Sequence, residues 1–159
     1  MELPAIGYLV AALALALTFG GMTFFSAVVT PLVFSKLPLK TAGPFIRQVF
    51  PWYYLTTGVL VLIALSALIL GAGGSVTWEV ALSTLVLAGF AFARQVLMPL
   101  INRARDAEIA GDLRAARRFR RLHLVSVIIN GLQWLAVLAG SYRFWFEHPT
   151  SRPWLVMSL

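Results

Sequence analysis

The sequence predicts an all-α integral membrane protein, a bundle of four transmembrane helices. Three observations carry this. Of its 159 residues 60% are hydrophobic and 12% charged, against about 25% charged in soluble domains. Four separate apolar stretches each approach or exceed the ~20 residues that cross a hydrocarbon core. The basic residues gather on one side of those stretches.

The first span lies within residues 5–34 of a single domain, 1–159. The apolar run Leu3 to Ser35 follows Glu2, not a basic segment. It is far longer than a signal-peptide core of about 7–15 residues, so it reads as a retained helix. Ala12, Ala16 and Gly20 recur at i, i+4 and i+8 and form a ridge that a neighbouring helix can approach closely. Thr41-Ala-Gly-Pro44 is expected to break the chain. Phe45, Ile46, Val49 and Phe50 then form a short interfacial turn before Pro51 opens the second span, 52–71. Gly71-Ala-Gly-Gly-Ser75 is a turn. The third span is 78–100, with Pro99 expected to kink it near Gln95, whose carbonyl loses its partner. A basic loop, 101–121, leads to the fourth span, 122–142, and Asp112 is the expected N-cap of a helix that starts ahead of that span. The tail, 143–159, carries Trp145, Phe146 and Trp154 and reads as an interfacial segment.

Orientation follows from charge. Lys36, Lys40 and Arg47 join spans one and two, and seven arginines (103, 105, 114, 117, 118, 120 and 121) join spans three and four. The opposite side has Arg143 and Arg152 alone. The positive-inside rule places both basic loops in the cytoplasm and both termini outside, in a cell membrane that for a bacterial chain is the inner membrane. The net charge of +7 therefore points to anionic lipid head groups and not to nucleic acid. Arg114, Arg117, Arg118 and Arg121, at i, i+3, i+4 and i+7, form a basic face expected to meet lipid phosphate.

The candidate site residues are the polar groups within the spans. His123, Ser126, Asn130 and Gln133 share one helix face, within an arc of about 80° at 100° per residue. Thr23 and Thr30 on span one, Tyr53 at the start of span two, and Arg94 and Gln95 on span three lie toward the same end. A charge such as Arg94 is costly in lipid, about 2.5–3.5 kcal/mol at the bilayer centre on insertion scales, and is retained for a role. It either faces the bundle or snorkels to phosphate. Gln133 is deepest and is expected to serve in helix packing. Tyr53 and Tyr54 have an aromatic-belt reading as well. The chain has no cysteine, which excludes disulfides and thiolate chemistry. No hydrolase, P-loop or dinucleotide signature occurs, no metal-ligand spacing is present, and no catalytic residue is assigned.

The strings GGMTFFSAVVTPLVFSKLP, AGPFIRQVFPWYY, RQVLMPLIN and FRRLHLVSVIIN together resemble the transmembrane-protein-205-like family. Bacterial members of that family are labelled a domain of unknown function. The sharper element is Phe119, Leu122, His123, Ser126 and Asn130. The resemblance implies four spans and no settled chemistry. More loosely, the layout is similar to copper-resistance D-type proteins and membrane protoporphyrinogen oxidases, which carry functional histidines. Here a single intramembrane histidine, His123, would need two copies of the chain to give a haem two histidine ligands.

Three functions fit these residues. The first is binding or movement of a small solute at a cytoplasm-facing polar pocket, with transport through so thin a bundle requiring a homodimer. The second is a haem- or quinone-linked redox protein with His123 as ligand or proton relay. The third is an accessory subunit of a larger membrane complex, docked through the Ala12-Ala16-Gly20 ridge and the tail.

Overall fold

A computed structural model describes the backbone of residues 3–147 except Val76, and side chains over 4–141 with the same exception. His148 and the rest of the tail, Trp154 included, lie outside the described residues, as do the side chains of Trp145 and Phe146. Four helices carry the fold: α1 (Pro4–Lys36), α2 (Leu39–Gly71), α3 (Trp78–Ile109) and α4 (Leu113–Glu147). All four are long and apolar enough to cross a membrane, which makes this a multi-pass membrane protein by length and composition. No strand occurs among the described residues.

Each helix packs on its chain neighbours, and α4 closes the ring by packing on α1. The bundle is therefore an antiparallel square. Its core includes Ala11, Leu15, Met22, Val61, Ala64, Leu68, Val86, Phe90 and Val137. The outward faces carry Leu13, Leu17, Phe24, Leu62, Leu85, Ile128 and Leu132, as contact with hydrocarbon demands. The two buried threonine hydroxyls are satisfied within their own helices: Thr18 donates to the Ala14 carbonyl and Thr57 to the Tyr53 carbonyl.

The helix ends differ from the sequence reading in one place. The expected break at Thr41–Pro44 is absent, and α2 runs unbroken through both Pro44 and Pro51. The break falls earlier, where Leu37 turns extended (φ −105°, ψ 144°) because the following Pro38 disfavours helix at that position. The Pro38 carbonyl then starts α2 by accepting from the Thr41 and Ala42 amides. Burial of Ala42 and Ile46 against the other helices holds the prolines in a helical path. The basic connection 101–121 is helical, as the expected projection of the third and fourth helices beyond their spans requires, except for a tight turn at 110–112, where Gly111 adopts φ +98°. Asp112 caps α4 as expected, its carboxylate accepting from the Arg114 and Ala115 amides at 2.8 and 3.3 Å.

Two helices contain a single π-helical turn, Phe25–Val29 in α1 and Ala93–Leu97 in α3. Each precedes a proline at the same spacing, Pro31 and Pro99. The proline removes one i→i−4 donor, and the local ladder widens to i→i−5. Thr30 N–H thus bonds the Phe25 carbonyl, and Met98 N–H the Ala93 carbonyl. The kink expected near Gln95 takes this form.

At the opposite end α1 and α2 touch through glycine. A methyl on Gly7 would lie 2.8 Å from the Ala67 carbonyl oxygen and 3.2 Å from Gly71 Cα. The Ala12-Ala16-Gly20 ridge does not do this work. Ala12 is buried, while Ala16 and Gly20 face outward.

Candidate functional site

All four helices line one cavity of about 410 Å³ at the basic end of the bundle. Thr30 and Phe34 come from α1, and Gly43, Ile46, Arg47, Phe50 and Tyr54 from α2. Met98, Ile101, Asn102 and Arg105 come from α3, and Phe119, His123 and Ser126 from α4. The extension of α2, α3 and α4 beyond their most apolar stretches creates this space. The π turn in α1 lies just before Thr30, and that in α3 just before Met98, so each re-aims the helix segment that forms a wall.

The inner end of the cavity is aromatic and hydrogen-bonded. Phe25 stacks on Tyr53 with centroids 4.5 Å apart, and Phe50 stacks on Tyr54 at 5.8 Å. Tyr53 donates to Asn130 Oδ1 at 2.9 Å, and the Tyr54 hydroxyl meets Ser126 Oγ at 3.5 Å. These two contacts tie α2 to α4 across the diagonal of the square. Both tyrosines are buried, so the aromatic-belt reading does not hold for them; Trp52, 69% exposed, is the outward aromatic.

The rim carries two arginines, each paired with a carboxylate. Arg47 bonds Asp106 Oδ1 at 2.6 Å and the Asn102 carbonyl at 3.0 Å. Arg105 bonds Glu108 at 2.6 Å, and its guanidinium sits over the Phe119 ring, 5.1 Å from the centroid. Phe119 in turn stacks against His123 at 5.8 Å. Neither carboxylate lines the cavity. They hold the two guanidiniums at its mouth while leaving part of each five-donor set unused.

Of the residues expected from sequence, His123, Ser126 and Thr30 line the cavity, and Tyr53 with Asn130 forms the layer beneath it. Thr23 stands apart, accepting from Trp134 Nε1 at 2.8 Å. Arg94 is half-buried at the seam of α2 and α3, where its Nε reaches the Pro51 carbonyl at 3.4 Å. Gln95 is exposed. Neither Arg94 nor Gln95 lines the cavity. Gln133 is buried and ties α4 to α3 through the Val86 carbonyl at 3.1 Å, pressed against Gly89, which is the packing part expected of it. Its Oε1 has no partner. Among the described residues no three His, Asp or Glu side chains group to hold a metal ion.

Sequence reasoning missed Arg47, Asn102, Arg105 and Phe119 as wall residues. Arg47 and Arg105 entered only as orientation charges. The signal for Arg105 and Phe119 was the helical character of 101–121, since an amphipathic helix there turns particular arginines inward.

The bundle and its end cavity define a class: a small helical membrane protein with an internal ligand-sized space. The particular family is given by residues 13–110, which match the domain of unknown function DUF4149. That match covers more than half of the chain, and the chain belongs to this family. It takes in most of α1, all of α2 and α3, and ends before α4. Its description assigns no activity and carries neither of the finer resemblances, to transmembrane protein 205 or to copper-resistance D-type proteins. No curated protein and no solved structure matches the chain.

Proposed function

We propose that this protein crosses the membrane four times with its basic end in the cytoplasm, and that the cavity there binds a small amphipathic molecule. The apolar body lies among Phe34, Ile46, Phe50, Met98 and Ile101, and the polar end faces Arg47, Arg105 and His123. The observation that carries this is the cavity itself. Its volume, about 410 Å³, falls in the range of about 300–1,000 Å³ that holds small molecules. Its lining offers many apolar side chains with a few convergent donors, and no carboxylate. Arginine only donates, so the polar end of the ligand accepts hydrogen bonds. The pocket is less polar than the sequence implied, because the polar groups sit at its rim and inner end while the walls between are hydrocarbon.

The test is titration of the full-length protein, in nanodiscs of zwitterionic lipid, with dodecanoate as a single-chain probe. Saturable binding above that of empty nanodiscs is expected. Ser126→Trp, which fills the inner end of the cavity, should abolish it while leaving helix content unchanged. A wild-type protein with no saturable component overturns the reading.

A second reading, a quinone ring in the same cavity, is supported by the Phe50–Tyr54 and Phe119–His123 stacks and by hydroxyls able to donate to carbonyls. Solvent extraction of the purified protein followed by ultraviolet spectroscopy should then recover quinone near one per chain, and its absence from a protein that binds dodecanoate rejects that reading.

A further inference from the structure

α4 has a second functional face. Phe119, His123 and Ser126 point into the cavity. At about 100° per residue, Arg114, Arg117, Arg118 and Arg121 lie on the opposite side of the helix within an arc of about 100°. Together with Leu122 these four arginines line a separate open groove of about 520 Å³. All four are exposed.

Among the described residues none of the four has an acidic partner. The two ion pairs found among the described residues, Arg47–Asp106 and Arg105–Glu108, engage the acids of the neighbouring helix. Asp112, the remaining nearby acid, caps α4 through backbone amides. The groove therefore holds four uncompensated guanidiniums at one place. Its position is equally specific. α4 is continuous from Leu113 through the apolar run that begins at Leu122. At 1.5 Å per residue, Arg114 to Arg121 covers about 10 Å of axis and stops where the helix becomes hydrocarbon-like. The head-group region of one leaflet is about 5–8 Å deep, so this face spans that region and a little beyond it.

We infer that this groove is a docking site for the phosphates of anionic phospholipids in the leaflet at the basic end. Guanidinium forks bind phosphate in bidentate fashion, and Leu122, at the membrane-proximal end, meets the first methylenes of the acyl chain. The site is independent of what the cavity binds, since it lies on the far side of the helix and shares no lining residue with it.

The test uses the full-length protein in phosphatidylcholine nanodiscs containing a minor fraction of phosphatidylglycerol. Spin-labelled forms of the two lipids report their relative association with the protein. Wild type should select phosphatidylglycerol, with the preference shrinking as salt is raised. Replacing Arg114, Arg117, Arg118 and Arg121 together by Gln should remove most of the preference. Each single Arg→Gln change should lower it by up to about fivefold, the equivalent of about 1 kcal/mol per basic residue at an anionic surface. The control pair Arg103→Gln with Arg120→Gln, two arginines outside the groove, should leave it nearly intact. The inference is overturned if the quadruple variant keeps wild-type selectivity. It is equally overturned if the control pair lowers selectivity as much per charge, which would mean diffuse attraction, or if inorganic phosphate at matched concentration displaces the lipid, which would mean a free-anion site.

Discussion

Gly7→Ala isolates the closest helix contact in the bundle. The added methyl would stand 2.8 Å from the Ala67 carbonyl oxygen and 3.2 Å from both Gly71 Cα and Gly71 N. Ordinary C···O contacts start near 3.3 Å and carbon pairs are optimal at about 3.5–4.0 Å, so α1 and α2 must part by roughly 0.5 Å. The obstructing atoms are backbone and have no rotamer to change. A gap of that size forfeits about a quarter of the dispersion energy of each contact it opens. The expected cost is about 1–3 kcal/mol, the usual range for an overpacked interface. Gly20→Ala is the matched control, because nothing lies within 4 Å of a methyl at that position. Both changes gain the same helix propensity, up to about 1 kcal/mol. That term cancels in the difference between the two variants and leaves packing alone. Unfolding by a rising mole fraction of dodecyl sulfate in mixed micelles measures it. Gly7→Ala and Gly20→Ala proteins agreeing within about 0.5 kcal/mol would refute the close-contact argument.

Two further expectations follow from named contacts. Asp112→Ala should cost about 0.5–2 kcal/mol, the usual range for a lost N-cap. The loss should appear as faster amide hydrogen exchange confined to the first turns of α4, and unchanged exchange there would count against the cap. Tyr53→Phe and Asn130→Leu, made singly and together, should show a coupling energy of about 0.6 kcal/mol, and no more than about 1.7, in micelle unfolding, the mean and the maximum for hydrogen bonds between membrane helices. Simple additivity of the two would mean that the diagonal bond contributes nothing.

The four rods were legible in the sequence because span length and apolarity are set by the thickness of hydrocarbon, which does not depend on tertiary detail. The face shared by His123, Ser126 and Asn130 was legible for a similar reason, since helical period alone places them together. The region from Thr41 to Pro51 was misread because glycine and proline stop helices in water. In a bundle the neighbouring helices hold the backbone in place, and α2 passes through both prolines. Arg94 drew attention as a charge in an apolar span, yet it lies within the π turn Ala93–Leu97, and a uniform 100° period cannot supply the direction that takes it to the Pro51 carbonyl. The rim of the cavity was hidden for another reason. Arg47 meets Asp106 across 59 positions of chain, and no local pattern pairs residues so far apart.

A π turn holds one residue more than an α-helical turn of the same rise, so each of these two helices carries a supernumerary residue that the sequence length records. Deleting one residue within Phe25–Val29 would let α1 close into a regular helix with no loss of backbone bonding. Everything beyond it would keep its direction relative to everything before it, because the wide turn had already absorbed the extra residue. Thr30 and Phe34 would still face the cavity, and Ala11, Leu15 and Met22 the core. The same deletion made in a regular stretch of α1 would instead turn one end of the helix by about 100° against the other. In this architecture the wide turn is the one place in the helix where a single-codon deletion leaves both ends agreed on which way is inward.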